Sequence, residues 1–477
     1  IKMVTRHYIK MISLFALSPL LMTGCAQDIN VDNQLDMVAV PAAWQSPDLN
    51  TIKSDLNWLK QNQWAQLPQI VIKALENNPD LRISANRLRS ALAQQQITDG
   101  NRSVTGDIRV TASRNGDFQS TITDRNSFSL RGGLAWEADV WGRLANDSRA
   151  SQQSVYAAKN DLDYAKMSLT IRTAQRWFDV TESILQNKLL EQNLEKILQS
   201  QDLVSSRYRR GLVGVLDVLR IETDVATARS NIASQQQTIS ERTRSLETLI
   251  GSYPSGLVPL DAKLPELDDV TKMGLPTTIL NNRPDIMAAK NRVLEANYDL
   301  KVAKKALYPS LSISTNASAS AENLRNIVDI DSLVWSVVGN IIQPVLDGGR
   351  RRQQVVINEV SLDTSLANYL KIILNAYLEA ENALTAEVTL AQQQQHLLIA
   401  VDRALASEEK AMEEYAKGLI DILSLLDVQR RSISAQQSLL RVKHRRLINR
   451  ATLHLALGGQ NIESYINQMA QNNQENS

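Results

Sequence analysis

Very few side chains in this sequence have the type and spacing that a chemical site requires. The 477-residue chain contains one cysteine, Cys25, so it cannot form an internal disulfide. Its four histidines, His7, His396, His444 and His454, are scattered and lack the spacing of metal ligands. No glycine-rich phosphate loop follows a predicted strand. The sequence therefore predicts that the chain is not an enzyme and needs no metal or cofactor.

Cys25 follows a segment with the layout of a secretory signal. A basic stretch, RHYIK, precedes a short apolar run, MISLFALSPLLM, and then Thr23 and Gly24. Met22 to Cys25 resembles a bacterial lipobox, with Met22 where leucine is usual. The resemblance implies that residues 1–24 are a lipoprotein signal peptide and that lipid is attached covalently to Cys25. Several acyl chains anchor a protein firmly in a membrane. An Asp directly after the cysteine would resemble an inner-membrane retention signal, so its absence after Cys25 favours the outer membrane.

Composition excludes several kinds of partner. The formal net charge is +1, and Lys and Arg are spread through the predicted helices, so we expect no nucleic-acid partner. No segment after the signal has the roughly eighteen uninterrupted apolar residues of a transmembrane helix. A form of this chain that crosses a membrane would therefore do so as a barrel of strands.

The sequence contains an internal duplication. YRRGLVGVLDVLR at Tyr208 recurs as YAKGLIDILSLLD at Tyr415, 207 residues later. Three further pairs keep nearly the same offset: NNPDL with NRPDI, WGR with GGR, and LETLIG with LHLALG. Matches in one order and one register indicate two copies of one unit. The predicted parts are a signal peptide at 1–24, an N-terminal segment at 25–76, repeat 1 at 77–252, a linker at 253–278, repeat 2 at 279–458 and a polar tail at 459–477.

Hydrophobic periodicity changes in the same order in both repeats. A helix is followed by two segments with period two, typical of strands, and then by two long helices. DGGRRR at 347–352 has WGR as its repeat partner, so we interpret it as a strand-to-helix turn and not as a phosphate site. The predicted elements are helices at 79–97, 144–210, 215–250 and 284–307, strands at 107–113, 127–140, 309–320 and 332–345, and long helices on both sides of Gly418.

These elements predict an oligomer. The helix at 144–210 would be about 100 Å long, which favours heptad-like packing against neighbouring helices. Four strands are too few to close a barrel, for which about eight are needed. The strands therefore belong to a soluble sheet or close with those of other copies. The lipid anchor and the long helices favour a barrel closed with the strands of other copies. Two chains would give eight strands, and three would give twelve.

The chain resembles the TolC-like outer-membrane efflux factors, in particular the OprM-type lipoprotein branch. The resemblance depends on Cys25, the duplicated helix–strand–strand–helix plan and the paired Y-x-x-G-L turns. It implies an α+β fold of mostly long helices, in which a homotrimer forms a periplasmic α-helical barrel continuous with a twelve-stranded outer-membrane β-barrel. The N-terminal segment, linker and chain end would form a belt. The implied partners are outer-membrane lipid, a periplasmic membrane-fusion adaptor and a proton-driven inner-membrane pump.

The same resemblance assigns a periplasmic gate to the repeat 2 tip. ILSLLDVQR resembles the OprM-type gate segment, in which Leu423 and Asp427 would ring the closed aperture and Arg430 lies one turn further along. Leu423 and Asp427 are four residues apart and so share one helix face. Arg220 corresponds to Asp427 in repeat 1, so an Arg220–Asp427 latch between neighbouring hairpins is one hypothesis. An Asp427–Arg430 pair within one helix is the alternative.

The two tips are also the predicted contact with the adaptor. Gly211 and Gly418 would end the preceding helices, because glycine accepts a positive φ. The expected contact residues are Tyr208, Arg209, Gly211 and Leu212 in repeat 1, and Tyr415, Lys417, Gly418 and Leu419 in repeat 2.

The resemblance implies an outer-membrane exit duct of a tripartite efflux system that exports drugs or other small molecules and is gated at the periplasmic tips. Three other functions remain open. The same duct would serve type I protein secretion or metal efflux, although no methionine cluster recommends metals. A structural coiled-coil lipoprotein of the periplasm is the third, and the four alternating strands argue against it.

Overall fold

The computed structural model describes residues 66–116, 125–257, 263–267, 279, 282–327 and 333–459. Cys25 and the predicted signal peptide lie outside the described residues, as do residues 460–477 of the predicted tail. Both repeats have the order helix, strand, strand, long helix, helix, which confirms the predicted duplication. The elements are α1 (Leu67–Asn77), α2 (Pro79–Gly100), β1 (Thr105–Asn115), β2 (Arg125–Ala138), α3 (Arg143–Arg209), α4 (Val215–Leu249), α5 (Pro284–Lys305), β3 (Ser310–Ala321), β4 (Val334–Ile342), α6 (Arg350–Lys417) and α7 (Ile422–Ala456).

The strands occur where the alternation predicts them but differ in length. β1 and β2 extend beyond the predicted positions 113 and 127 into the segment between them, β1 to Asn115 and β2 from Arg125. β4 ends at Ile342, two residues before Pro344, and not at the predicted position 345. Proline has no N–H to donate to a strand ladder, so pairing stops before it.

The four strands form one antiparallel sheet in the order β1-β2-β3-β4, and its two faces differ in chemistry. One face carries the apolar residues of all four strands: Ile108, Val110, Leu130, Leu134, Trp136, Leu311, Ile313, Trp335, Val337 and Ile341. The other face carries mostly polar residues: Arg109, Thr111, Ser129, Arg131, Ser312, Ser314, Asn316, Ser336 and Asn340. Most of the apolar face is exposed in the single chain. A surface of this kind marks contact with a membrane or another protein.

The shorter helices pack side by side around the two longest, α3 and α6. α5 and α7 each contact both α3 and α6, whereas α2 and α4 pack mainly against α3. None of the described helices is both long and apolar enough to cross a lipid bilayer.

In each repeat the same connection joins two helices. The end of the last helix, α4 or α7, is bonded to the residue before the helix that precedes the strands, α2 or α5. In repeat 1, the Asn78 side chain accepts from Leu81 N at 2.9 Å and donates to Leu249 O at 2.8 Å. In repeat 2, the equivalent residue, Arg283, donates to Ala456 O at 3.3 Å. Leu249 and Ala456 are 207 residues apart, so the duplicated sequence makes one connection with two different side chains.

Sequence reasoning missed α1, which lies in the segment predicted as 25–76. Leu67 and Val71 of α1 pack with Trp177 and Phe178 of α3 and with Leu447 of α7. The helix is only 11 residues long and begins without a capping side chain. So short an apolar pattern does not distinguish a helix from an irregular segment, and the buried contacts supply its stability.

Candidate functional site at the helical tips

Both hairpins turn with the same backbone geometry. Gly211 has φ +70° and Gly418 has φ +76°, the left-handed region that favours glycine. In each turn the following leucine N–H, of Leu212 or Leu419, donates to the carbonyl five residues earlier at 2.9 Å. These bonds satisfy carbonyls at the helix ends. Both leucine side chains point into solvent.

The tips of the two repeats pack against each other within the chain. Arg207 donates to the main-chain oxygen of Tyr415. Its guanidinium carbon also lies 4.8 Å from the centre of the Tyr415 ring, a cation–π contact. Beneath this contact an apolar cluster joins the four hairpin helices: Ile197, Val204, Ile221, Val225, Ala228, Ala411, Tyr415, Ile422, Leu425 and Leu426.

Tyr208 and Tyr415 have the same position in the two repeats but different surroundings. Tyr208 is exposed, whereas Tyr415 is buried. Burial raises the pKa of the Tyr415 hydroxyl, and the charge of Arg207 opposes this rise. Within the chain the Tyr415 ring supports Arg207 and the tip cluster, and its part in the adaptor contact stays a prediction. Arg209 and Lys417 are exposed beside the turns.

The predicted gate residues lie on α7 just beyond the turn. Asp421 caps this helix by accepting from Ser424 N at 2.8 Å. Hydrogen bonds from Ser424 lower the pKa of the Asp421 carboxyl. Leu423 and Asp427 are both exposed. A ring around an aperture requires further copies of the chain, so this role stays a prediction.

The charged partners of the gate segment differ from those expected. Asp427 accepts from Arg431 at 2.8 Å and not from Arg430, so the predicted Asp427–Arg430 pair is wrong. Arg431 lies four residues on, which is the spacing of side chains that face each other along a helix. Arg430 instead donates to both carboxylate oxygens of Asp224 on α4, each at 3.0 Å. This forked pair ties the two hairpins together.

The proposed latch partners are occupied separately within one chain. Arg220 donates to Asp217 at 3.3 Å on its own helix, while Asp427 is held by Arg431. An Arg220–Asp427 latch therefore stays a prediction for contacts between copies.

Sequence reasoning missed the most buried charge at the tips. Glu408 of α6 is buried and accepts from Lys196 of α3 at 2.8 Å and from Ser432 of α7 at 2.6 Å. Lys196 and Glu408 are 212 residues apart, so no local pattern marks them as partners. The run of charges around Glu408 has the composition of a solvated helix face.

A second polar region lies further along the long helices. A cavity of about 1020 Å³ is lined by Arg172, Asp179, His444 and Arg445, among others. His444 Nε2 lies 2.9 Å from Asp179 Oδ1, which joins α7 to α3. No group of His, Cys, Asp or Glu within the described residues is arranged to hold a metal ion.

Comparison with known proteins defines the class to which this fold belongs. The solved structure of the outer-membrane channel OprN matches with a TM-score of 0.78 at 26% identity, covering 88% of this chain and 99% of OprN. The cation efflux system protein CusC of Escherichia coli is 27% identical over 458 residues, which is 92% of this chain and 97% of CusC. The toluene efflux pump outer membrane protein TtgC of Pseudomonas putida is 27% identical over 478 residues, or 97% of each. The class is that of outer-membrane efflux channels.

Residues 70–252 and 275–459 each match the family described as outer membrane efflux protein. The chain belongs to this family. It is therefore an efflux channel of the outer membrane of a Gram-negative bacterium, and the prediction that it is not an enzyme is confirmed. The double match agrees with the duplicated order of elements.

Proposed function

We propose that the chain is the exit duct of a tripartite efflux system that carries drugs or other small molecules out of the cell. The observation that carries this proposal is the placement of two unlike surfaces at opposite ends of α3. The amphipathic sheet adjoins its start, and the paired tips lie at its end. A helix of 67 residues separates them by about 100 Å.

Three copies would complete the duct. A sheet with one apolar and one polar face is typical of strands that face lipid on one side and a channel on the other. Four strands cannot close, whereas twelve from three copies form a barrel. Within the described residues, β1 and β4 each have one edge without a partner strand, so pairing between copies satisfies both.

The tips would carry the gate and the contact with a periplasmic adaptor. Repeated around a threefold axis, Leu423 gives an apolar throat and Asp427 a ring of carboxylates. Apolar constrictions close by dewetting, and carboxylate rings favour cations. The exposed Leu212 and Leu419 suit contact with the adaptor, and the inner-membrane pump supplies the energy.

The lipid on Cys25 is a separate part of this proposal. Growth with a labelled fatty acid, followed by purification, should place the label on the wild-type chain and not on Cys25→Ser. Equal labelling of both would overturn the lipid assignment, and it would leave the duct proposal intact.

Gene deletion tests the function. Loss of the chain should raise the retention of a fluorescent pump dye and lower antibiotic resistance, with the secreted proteome unchanged. Complementation with the wild-type gene should restore both properties. Loss of one secreted protein with normal dye retention would instead assign the same duct to type I secretion.

Cation efflux is the second candidate, because a relative named for cation efflux is as similar as one named for toluene efflux. The deletion strain should therefore also be tested for growth in a series of metal-cation salts. Sensitivity to these ions with normal dye retention would replace drugs by cations as the cargo.

A further inference from the structure

The polar face of the sheet brings two arginines directly opposite each other. The strand register pairs Arg109 of β1 with Arg131 of β2. Both side chains are exposed on the face that carries the serines and asparagines. Residues opposite each other on antiparallel strands have Cβ atoms about 5 Å apart, and like charges there destabilise the sheet. A repulsive pair of this kind points to a ligand of opposite charge.

The carboxylates on this face do not neutralise the two arginines. Glu137 accepts from Arg143 at 2.8 and 3.0 Å, one bond to each of its oxygens. Asp107 lies one register pair away, opposite a glycine. Among the described residues, neither arginine of the pair forms an ion pair. Two guanidinium groups therefore share at most one nearby carboxylate, and the local net charge is positive.

The other strands supply no carboxylate either. β3 and β4 contain no charged residue. β1 has one edge without a partner strand in the described part of the chain, and in the proposed ring this edge meets β4 of the next copy. Arg131 is opposite Ser318 of β3 on its other side. The row Arg109, Arg131, Ser318 thus offers guanidinium and hydroxyl donors and no negative charge.

We propose that the Arg109–Arg131 pairs of three copies form a ring in the lumen of the barrel that binds the anionic group of a passing solute. Threefold symmetry puts the three pairs at one height in the channel. Guanidinium groups donate two parallel hydrogen bonds to carboxylate, sulfonate and phosphate oxygens. The inference rests on the ring assembly proposed above and adds the chemical class of solute that the duct favours.

The position of the pair favours a solute over a lipid headgroup. Val110 and Leu130, the chain neighbours of the two arginines, belong to the apolar face of the sheet. The arginines belong to the opposite face, so lipid on the apolar side does not reach them. Basic groups around a channel raise the local concentration of anions. The ring has the opposite charge to the proposed Asp427 ring, which lies about 100 Å away at the tips.

Isothermal titration calorimetry with inorganic pyrophosphate tests the ring on the purified full-length oligomer at constant ionic strength. The wild-type protein should bind pyrophosphate. Arg109→Ser with Arg131→Ser should raise the dissociation constant at least about tenfold, because charge-assisted hydrogen bonds are lost. Arg114→Ser with Arg125→Ser is the matched control, in which binding should persist. It removes the same charge from the same two strands, where each arginine is opposite an asparagine.

Arg131→Glu separates loss of the site from loss of the fold. It replaces two facing like charges by opposite charges, which stabilise neighbouring strands. The variant should therefore lose pyrophosphate binding and unfold at a temperature no lower than that of the wild type.

Planar-bilayer recordings test the place of the ring in the channel. The ratio of chloride to potassium permeability, taken from the reversal potential in a KCl gradient, should fall in the double variant at 109 and 131. The same ratio should stay unchanged in the matched control.

The outcomes separate the ring from the duct. Binding and selectivity that depend on Arg109 and Arg131, but not on Arg114 and Arg125, support the proposal. A conducting trimer that does not bind pyrophosphate, or that binds it equally in both double variants, would overturn the ring and leave the duct intact. Binding that depends on the pair with an unchanged permeability ratio would overturn its place in the lumen. A single chain by native mass spectrometry would overturn the assembly and the ring together.

Discussion

At the residue scale, equivalent positions of the duplication have acquired different tasks. Tyr415 is buried beneath Arg207, while Tyr208 remains exposed. Asp224 binds Arg430 of the other hairpin, whereas its equivalent in repeat 2, Arg431, binds Asp427 on its own helix. The hydrophobic repeat is thus shared, and the polar residues on it distinguish the two hairpins.

The Arg430–Asp224 pair is expected to hold the tips closed. Asp224→Asn removes the charge and should weaken the contact between the two hairpins of one chain by about 1 kcal/mol. The effect is small because Arg430 is two-thirds exposed and water screens the pair. A change of this size shifts a closed–open equilibrium about fivefold for each copy. The open fraction in planar-bilayer recordings measures it. Asp202→Asn, on an exposed face of the same hairpin, is the control, and equal open fractions in both variants would remove the pair from the gate.

His454 is expected to make stability depend on pH. Burial lowers the pKa of its imidazole from 6.5 to about 4, so the folded chain keeps the ring neutral. The unfolded chain binds more protons in this interval, so stability is full above pH 6.5 and falls as pH drops toward 4. The loss should approach about 3 kcal/mol.

The urea midpoint of the purified protein, measured from pH 7.5 to 4.5, checks this expectation. His454→Leu should flatten the curve over this range, and His444→Gln should leave the part due to His454 in place. An unchanged slope in His454→Leu would exclude His454 as the titrating group.

At the element scale, the turns that follow α4 and α7 bring the ends of these helices against the residues that precede α2 and α5. Gly251 and Gly458 have φ of +71° and +87°, at equivalent positions of the two repeats. A Cβ on Gly251 would lie 2.4 Å from the main-chain oxygen of Asn77, and one on Gly458 would lie 2.8 Å from Asn282 Cβ. Both turns therefore require glycine for its conformation and for its small size.

Gly251→Ala should destabilise the chain strongly. The backbone strain alone costs roughly 1–3 kcal/mol, and the clash with Asn77 adds to it. The thermal unfolding midpoint measures the effect. Gly100→Ala is the matched control, because nothing lies within 4 Å of a Cβ there and alanine favours the helix. A small equal shift in both variants would show that the turn relaxes easily.

At the scale of the whole molecule, the two faces of the sheet determine how the protein meets the membrane. The strand register aligns apolar residues of all four strands on one face and leaves mostly polar residues on the other. The long helices then carry the tips about 100 Å away from the sheet. One chain thus joins a surface suited to lipid with a surface suited to other helices.

Adjacent residues of β4 test this assignment. Val337→Arg places a charge on the apolar face and should cost about 2–4 kcal/mol near the bilayer centre. Ser336→Arg, one residue away, faces the polar side and should be tolerated. The amount of folded protein in isolated outer membranes distinguishes the two. Equal amounts for both variants would contradict the assignment of the lipid-facing side.

The features that arise from local sequence patterns could be predicted without the structure. The change from period 3.6 to period two and the glycine turns are properties of neighbouring residues, so the strands and tips follow from them. The repeats follow from comparing one stretch of sequence with another at an offset of 207 residues. The family is likewise recognisable from Cys25 and the paired Y-x-x-G-L turns.

Which of two equivalent residues is buried, and which charges form pairs, became known only from the packing of the helices. Periodicity leaves Tyr208 and Tyr415 indistinguishable, and Arg430 has an acidic residue nearby in sequence that it does not bind. The contacts of Arg207, Asp224 and Glu408 join residues about two hundred positions apart. Such pairings depend on how complete helices pack, because a helix specifies the face of a side chain but not the neighbour that will cover it.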